Sequence, residues 1–159
     1  MHKLDTIIRH EKESKKKCTI YPLKYREDLR FINANFIDNY DYEGYVLLHV
    51  DGEPLSVNDK DKPLLLVDAS WRWADRIFTS EKINSLPRRS ICGFVTAYPR
   101  KSNFYDDPDT GLASVEALYI ASLMRGKEDL SLLDHYYWKQ EFLEKNVEVI
   151  RMHRERVVE

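Results

Sequence analysis

Three stretches of this 159-residue chain combine residue types that could do chemistry. In LLLVDASWRW, residues 64–73, an apolar run ends in Asp68, and Ser70 and Trp71 follow directly. In open α/β sheets, ligands bind beyond the carboxyl ends of strands, so Asp68 is a candidate site acid. Read as plain structure, Asp68 and Ser70 cap a helix beginning near Trp71, and Trp71 and Trp73 are packing. In GLASVEA, residues 111–117, Ser114 could cap a helix whose outward N–H groups hold a carboxylate or phosphate. Glu116 falls in the first turn, where the helix dipole favours an acid in any case. The third group is basic. Arg72, Arg76, Arg88, Arg89, Arg100 and Lys101 flank the predicted ligand end of the sheet and could meet phosphates, with surface solubility as the competing account.

Other patterns narrow the chemistry. No G-x-G-x-x-G or P-loop pattern is present, which argues against a dinucleotide or nucleoside triphosphate site. The five histidines lack HxxxH spacing, and Asp106, Asp107 and Asp109 sit in DDPDTG, which is turn chemistry, so no metal is expected. Lys15, Lys16 and Lys17 precede Cys18 and could activate it, but no base lies nearby in sequence, and they read as an electropositive rim. Cys18 and Cys92 form no CxxC pair, as suits a reducing compartment. With 25 basic and 27 acidic residues, net charge is −2, so nucleic-acid binding would need a local basic face. The first 20 residues contain no apolar h-region, and no window approaches the roughly 20 apolar residues of a membrane span. A cytoplasmic protein without membrane contact is expected.

The elements that must position these residues follow from periodicity. Strands are expected at 5–10, 30–37, 45–50, 63–69 and 90–97, several of them apolar on both faces as in a covered parallel sheet. Helices are expected in PLKYREDLRFI (22–32) and WRWADRIFTSEKINSL (71–86), the latter with Trp73, Ile77 and Phe78 at helical spacing. LASVEALYIASLMRG forms a helix ending at Gly126, and the last 30 or so residues carry Leu132, Tyr136, Leu143, Val147 and Ile150 on one stripe. The fold class is therefore α/β: a mostly parallel sheet in residues 1–98 and a helical part in 99–159, with loop chemistry from Pro99 to Gly111.

In order along the chain, KKKCT with the leucine of YPL, LLHVDGEPLSVND, VDASW, VTAYP followed by SNFY, LASVEALYIA and YYWKQEFLEKN resemble successive blocks of the ribosomal RNA aminocarboxypropyltransferase family over about residues 4–147. The run Asp68, Ala69, Ser70, Trp71 and the segment Leu112 to Ala117 are also similar to the related DTW-domain tRNA-uridine aminocarboxypropyltransferases. The chain departs from the ribosomal pattern at Tyr98, where an asparagine is usual, and at Asn103, Phe104 and Tyr105.

The resemblance implies a SPOUT-like sheet with a deep trefoil knot and the cofactor S-adenosylmethionine. It implies transfer of the 3-amino-3-carboxypropyl group to a uridine or pseudouridine nitrogen in structured RNA, releasing methylthioadenosine. Small-subunit rRNA is the favoured substrate and tRNA the other candidate. By the same resemblance Asp68 is catalytic, as a weak base or as the partner of the cofactor's amino group, and Trp71 covers the sulfonium methyl. Thr19, Leu48, Val50, Val67, Phe94 and Leu112 line the adenosine pocket, and the helix start at Val115 and Glu116 takes the carboxylate of the transferred chain. A monomer is expected. The alternatives are an RNA methyltransferase of SPOUT type and a catalytically silent RNA-binding assembly factor.

Overall fold

Among the described residues, five strands line up in parallel to make the sheet, in the order β2-β1-β4-β3-β5. They are β1 (Asp5–Arg9), β2 (Leu29–Asn33), β3 (Val46–Pro54), β4 (Leu64–Asp68) and β5 (Arg88–Ser90). A computed structural model describes residues 3–9, 19–69, 71–99 and 111–158, apart from the side chains of residues 71–73 and 157–158. Lys15, Lys16, Lys17, Cys18, Ser70, Arg100, Lys101, Asp106, Asp107 and Asp109 thus lie outside the described residues. The chain forms two compact units, residues 1–54 with 61–90, and residues 55–60 with 91–159. Among the described residues no helix is long and apolar enough to cross a membrane, and no cluster of three histidines, cysteines or acids could hold a metal.

In the first unit, consecutive residues Ile7 and Ile8, and likewise Leu64, Leu65 and Leu66, are all buried. Burial without alternation is what a parallel strand covered on both faces requires. One face packs Ile8, Ile32, Tyr42, Tyr45, Leu47 and Leu65 against Ile77 and Ile83, which come from two short helices, α1 (Trp71–Ile77) and α2 (Glu81–Asn84). The expected single helix over 71–86 is broken at Phe78–Ser80, where the Thr79 hydroxyl donates to the Arg76 carbonyl at 2.6 Å.

The helix expected over 22–32 does not form. Tyr21–Leu23 makes one 3-10 turn, Arg26 closes a bidentate pair on Asp28 at 2.8 and 2.7 Å, and Leu29–Asn33 pairs with β1. Strand pairing overrides the local helical pattern here. β2 stops at Asn33, short of the expected Ile37, because the Asn33 side chain accepts the Asn35 N–H at 2.9 Å and turns the chain.

β3 pairs with β5 in two separate registers, Leu48 and Glu53 both facing Arg89, so His49, Val50, Asp51 and Gly52 bulge out of the ladder. Gly52 lies flat on β5, where a Cβ would overlap the backbone of Arg88 and Arg89, and its carbonyl accepts the Ser90 hydroxyl at 2.8 Å.

The second unit is helical: α3 (Ser114–Met124), α4 (Lys139–Lys145) and α5 (Val147–Val158). α3 is buried on every side from Val115 to Met124. It ends as a Schellman motif: Gly126 has φ 80°, its N–H meets the Leu123 carbonyl, and the Lys127 N–H meets that of Ser122. The stripe expected downstream is only partly realised. Leu132, Tyr136 and Ile150 are buried, but Val147 is exposed, and the inward positions of α4 and α5 are Phe142, Asn146 and Ile150. The strand expected over 90–97 shrinks to Arg88–Ser90, because the backbone groups of Val95 and Ala97 bond to side chains of this unit instead of to a neighbouring strand.

The close approach at Gly52 carries a prediction. Gly52→Ala should lower stability by about 2–3 kcal/mol through overpacking. Gly44→Ala, where φ is 87° and nothing lies within 4 Å, should lose about 1 kcal/mol from backbone strain alone. Urea midpoints of the two variants check this order.

Candidate functional site

Strand connectivity selects one place on the sheet. From β1 the chain returns to β2 on one side; from β4 it passes β3 to β5 on the other. In open α/β sheets such a topological switch point, here between the adjacent β1 and β4, is where ligands bind, at the carboxyl ends of the strands. The register pair at those ends is Arg9 and Asp68. Arg9 Nε lies 3.8 Å from Asp68 Oδ2, and the two side chains are only 12% and 14% exposed. The Arg9 guanidinium also lies 5.1 Å from the centre of the Tyr21 ring, a cation–π contact. α1 begins at Trp71, three residues beyond Asp68.

The other expected residues of this unit fall as follows. Val67 precedes Asp68 in β4 and is registered with Ile8. Leu48 follows Leu47, whose partner in β4 is Leu65, and opens the β3 bulge. Val50, on the bulge, is 88% exposed. Its neighbour His49 meets the Phe78 ring edge-on at 5.2 Å and accepts the Asp51 N–H on Nδ1. Burial, reinforced by Arg88, holds the His49 imidazole below its ordinary pKa in spite of Asp51. Thr19 lies just before the Tyr21–Leu23 turn. Of the basic candidates, Arg76 is exposed, Arg88 is engaged with Asn84 at 2.6 Å and Asp51 at 3.6 Å, and Arg89 donates to the Arg88 carbonyl.

In the second unit, Glu116 organises the expected pocket blocks. It is fully buried and accepts four hydrogen bonds, two on each oxygen. Oε1 takes the Thr96 hydroxyl at 2.6 Å and the Ala113 N–H at 2.8 Å; Oε2 takes the Ala97 N–H at 2.9 Å and the Tyr136 hydroxyl at 2.9 Å. The Tyr98 N–H then donates to the Thr96 hydroxyl at 3.0 Å. One carboxylate thus ties VTAYP, the start of α3 and YYW together. The cap of α3 is Ala113 where Ser114 was expected, and Glu116 supplies the reciprocal bond to the cap N–H. With these four donors in place and no exposed surface, Glu116 shapes the helix start from within. Val115 is likewise buried, and the Ala117 N–H is bonded to the Ala113 carbonyl.

Leu112 is half-buried just before the cap. Phe94 stacks on His153 of α5, with centroids 5.6 Å apart and planes 16° from parallel. Next to it, Asn146 clamps Val95, accepting its N–H at 2.7 Å and donating to its carbonyl at 2.8 Å. Two basic residues of α5 are paired with acids. Arg154 forms a fork on Glu128 at 2.8 and 2.6 Å, and Arg151 pairs with Glu148 and Glu155.

The residues that sequence reasoning missed are Arg9 and Tyr21 at the switch point, and Thr96, Tyr136 and Asn146 around Glu116 and Val95. Arg9 had a readable signal: like Asp68, it is a charge closing an apolar strand. Tyr136 was read as part of an apolar stripe, and the partner of its hydroxyl lies 20 residues away.

The first unit is thus a parallel α/β sheet with a charged pair at the switch point, the place where open α/β sheets bind ligands. No protein-family model and no curated protein matches the sequence. Among solved structures, the chain is similar to the SAM-dependent rRNA:acp-transferase Tsr3 from Vulcanisaeta distributa, with a TM-score of 0.74 and 20% sequence identity. The likeness covers 98% of this chain and 84% of that one, and it establishes a shared fold.

Buried polar groups carry two predictions. Glu116→Gln keeps the shape but turns an NH2 group toward N–H and O–H donors, and should cost about 2–4 kcal/mol of stability, read from denaturant midpoints. The second is alkaline. Burial pushes the Tyr42 phenol up to about 12. It also raises Tyr119 and Tyr136, where Glu128 and Glu116 add to the rise. Phenols that hold their protons more tightly when folded stabilise the protein fully below their ordinary value near 10, and that contribution is lost as pH rises above it. Thermal midpoints should therefore fall between pH 10 and 12, and Tyr136→Phe should make that fall shallower.

Proposed function

We propose that the protein is an enzyme, an RNA aminocarboxypropyltransferase that uses S-adenosylmethionine. The observation that carries this reading is the structural likeness to Tsr3 over 98% of the chain. It agrees with the block-by-block sequence resemblance and with a half-buried carboxylate at the switch point. The substrate is a uridine or pseudouridine of small-subunit rRNA, and the protein works as a cytoplasmic monomer in ribosome biogenesis. The SPOUT-like arrangement and the knot rest on the resemblance alone.

The residues present suit such a ligand. Asp68 offers an anion to the ammonium of the transferred chain, since a carboxylate is a good acceptor of charged hydrogen bonds. Trp71, at the first position of α1, packs against the sulfonium methyl and keeps the nucleophile off that carbon. Thr19, Leu48, Val50, Val67, Phe94 and Leu112 hold the adenosine, and the backbone around Val115, shaped by Glu116, receives the carboxylate. When bound, S-adenosylmethionine would supply the electrophilic carbon and the leaving group: the ring nitrogen would bond to Cγ as the S–Cγ bond breaks, the electron pair would stay on sulfur in methylthioadenosine, and the ring N–H proton would pass to water. What the chain supplies is alignment, which accounts for much of the rate in such a displacement. Arg72, Arg76, Arg88, Arg89, Arg100 and Lys101 form the RNA-binding set that meets phosphates.

The test uses S-adenosylmethionine labelled at the carboxyl carbon, with small-subunit rRNA and tRNA offered separately. Label should enter rRNA and methylthioadenosine should accumulate; adenosylhomocysteine as the by-product would mean methyl transfer instead. Asp68→Asn should lower transfer about 100-fold, the loss of one charged hydrogen bond. Trp71→Ala should weaken cofactor binding by about 0.5–2 kcal/mol in calorimetry. Wild-type affinity in Trp71→Ala would sink its role at the methyl.

A further inference from the structure

Arg9 stands beside the candidate catalytic carboxylate and has no part in the transfer as described. We propose that Arg9 is a positioning residue that sets the orientation of the Asp68 carboxylate at the switch point. This rests on the reading that makes Asp68 the partner of the transferred chain.

Four observations converge on it. Arg9 and Asp68 are the register partners at the carboxyl ends of β1 and β4, so their Cα separation is fixed by the sheet and not by flexible loops. The Nε–Oδ2 distance is 3.8 Å, and side chains 12% and 14% exposed are far less screened than a surface pair. The guanidinium is held a second time, 5.1 Å from the centre of the Tyr21 ring, and Tyr21 is set in its place by a 3-10 turn with Pro22 at its start. A planar, permanently charged group anchored on an aromatic face is a fixed counter-charge for the Asp68 carboxylate. Lys24 also approaches the Tyr21 ring, at 5.5 Å, so the ring serves as a platform for cations.

A lysine at this position would keep the charge but lose the planar guanidinium held over the Tyr21 ring, which separates positioning from bulk electrostatics.

The experiment is a double-mutant cycle of wild type, Arg9→Met, Asp68→Asn and the double variant, with Arg9→Lys beside it. Transfer of the labelled chain to small-subunit rRNA gives kcat and KM, calorimetry gives S-adenosylmethionine affinity, and thermal melts correct for folded fraction. Arg9→Met should lower kcat/KM about tenfold, as residues in direct contact couple, and should have no further effect in the Asp68→Asn background. Arg9→Lys should recover part of the loss. An equal drop in both backgrounds would show that Arg9 acts on the substrate by itself and overturn the proposal. So would a lowered melting temperature with unchanged turnover per folded molecule, which marks the pair as purely structural. If the wild type binds S-adenosylmethionine but transfers nothing, the reaction assignment fails, and the same cycle measured in cofactor affinity still decides whether Arg9 acts through Asp68.

Discussion

A carboxylate with no exposed surface must find its hydrogen bonds inside the protein, and Glu116 is where the helical unit is organised around that need. The donors that answer it come from the loop at Thr96 and Ala97, from the first residue before α3, and from Tyr136. None of the three segments has regular structure of its own at the point of contact. Each is placed by the same two oxygens, so the geometry of the helix start and of VTAYP is set jointly. Asn146 repeats the device at Val95, with its side-chain amide standing in for a neighbouring strand. Around both, α3 supplies the apolar mass, and the Tyr119, Glu128 and Arg154 cluster pins α5 to it.

The sheet unit works on a different constraint. Parallel strands put all their carboxyl ends on one edge, and the order β2-β1-β4-β3-β5 makes the connections diverge between β1 and β4. Charge is admitted at that edge: Arg9 and Asp68 close strands whose preceding residues are almost all buried. The bulge of β3 works the other way, interrupting the ladder between Leu48 and Glu53 and leaving Val50 exposed. Gly52 is the residue that lets the bulged chain return onto β5, since only hydrogen at that Cα fits against the Arg88 and Arg89 backbone.

Much of this was legible in the sequence by itself. The apolar runs at Thr6–Ile8 and Leu64–Val67 determined two central strands of a parallel sheet, because few other elements bury every side chain over so short a length. Alanine, leucine and glycine placement determined α3 and its end at Gly126, where positive φ favours glycine. The candidate acid was visible as a charge at the end of an apolar run. What tertiary structure decided is of another kind. Residues 22–32 carry a helical pattern, yet Leu29–Asn33 is a strand because β1 offers a ladder. Residues 90–97 look like a strand but are drawn off by the side chains of Asn146 and Glu116, 51 and 19 residues away from their partners Val95 and Ala97. Glu116 read as an ordinary capping acid, and its other partners lie too far along the chain for any local pattern to show. Local periodicity reports which face of an element is apolar; only the folded chain decides which distant donors a buried charge will meet, because that choice minimises the cost of desolvating it.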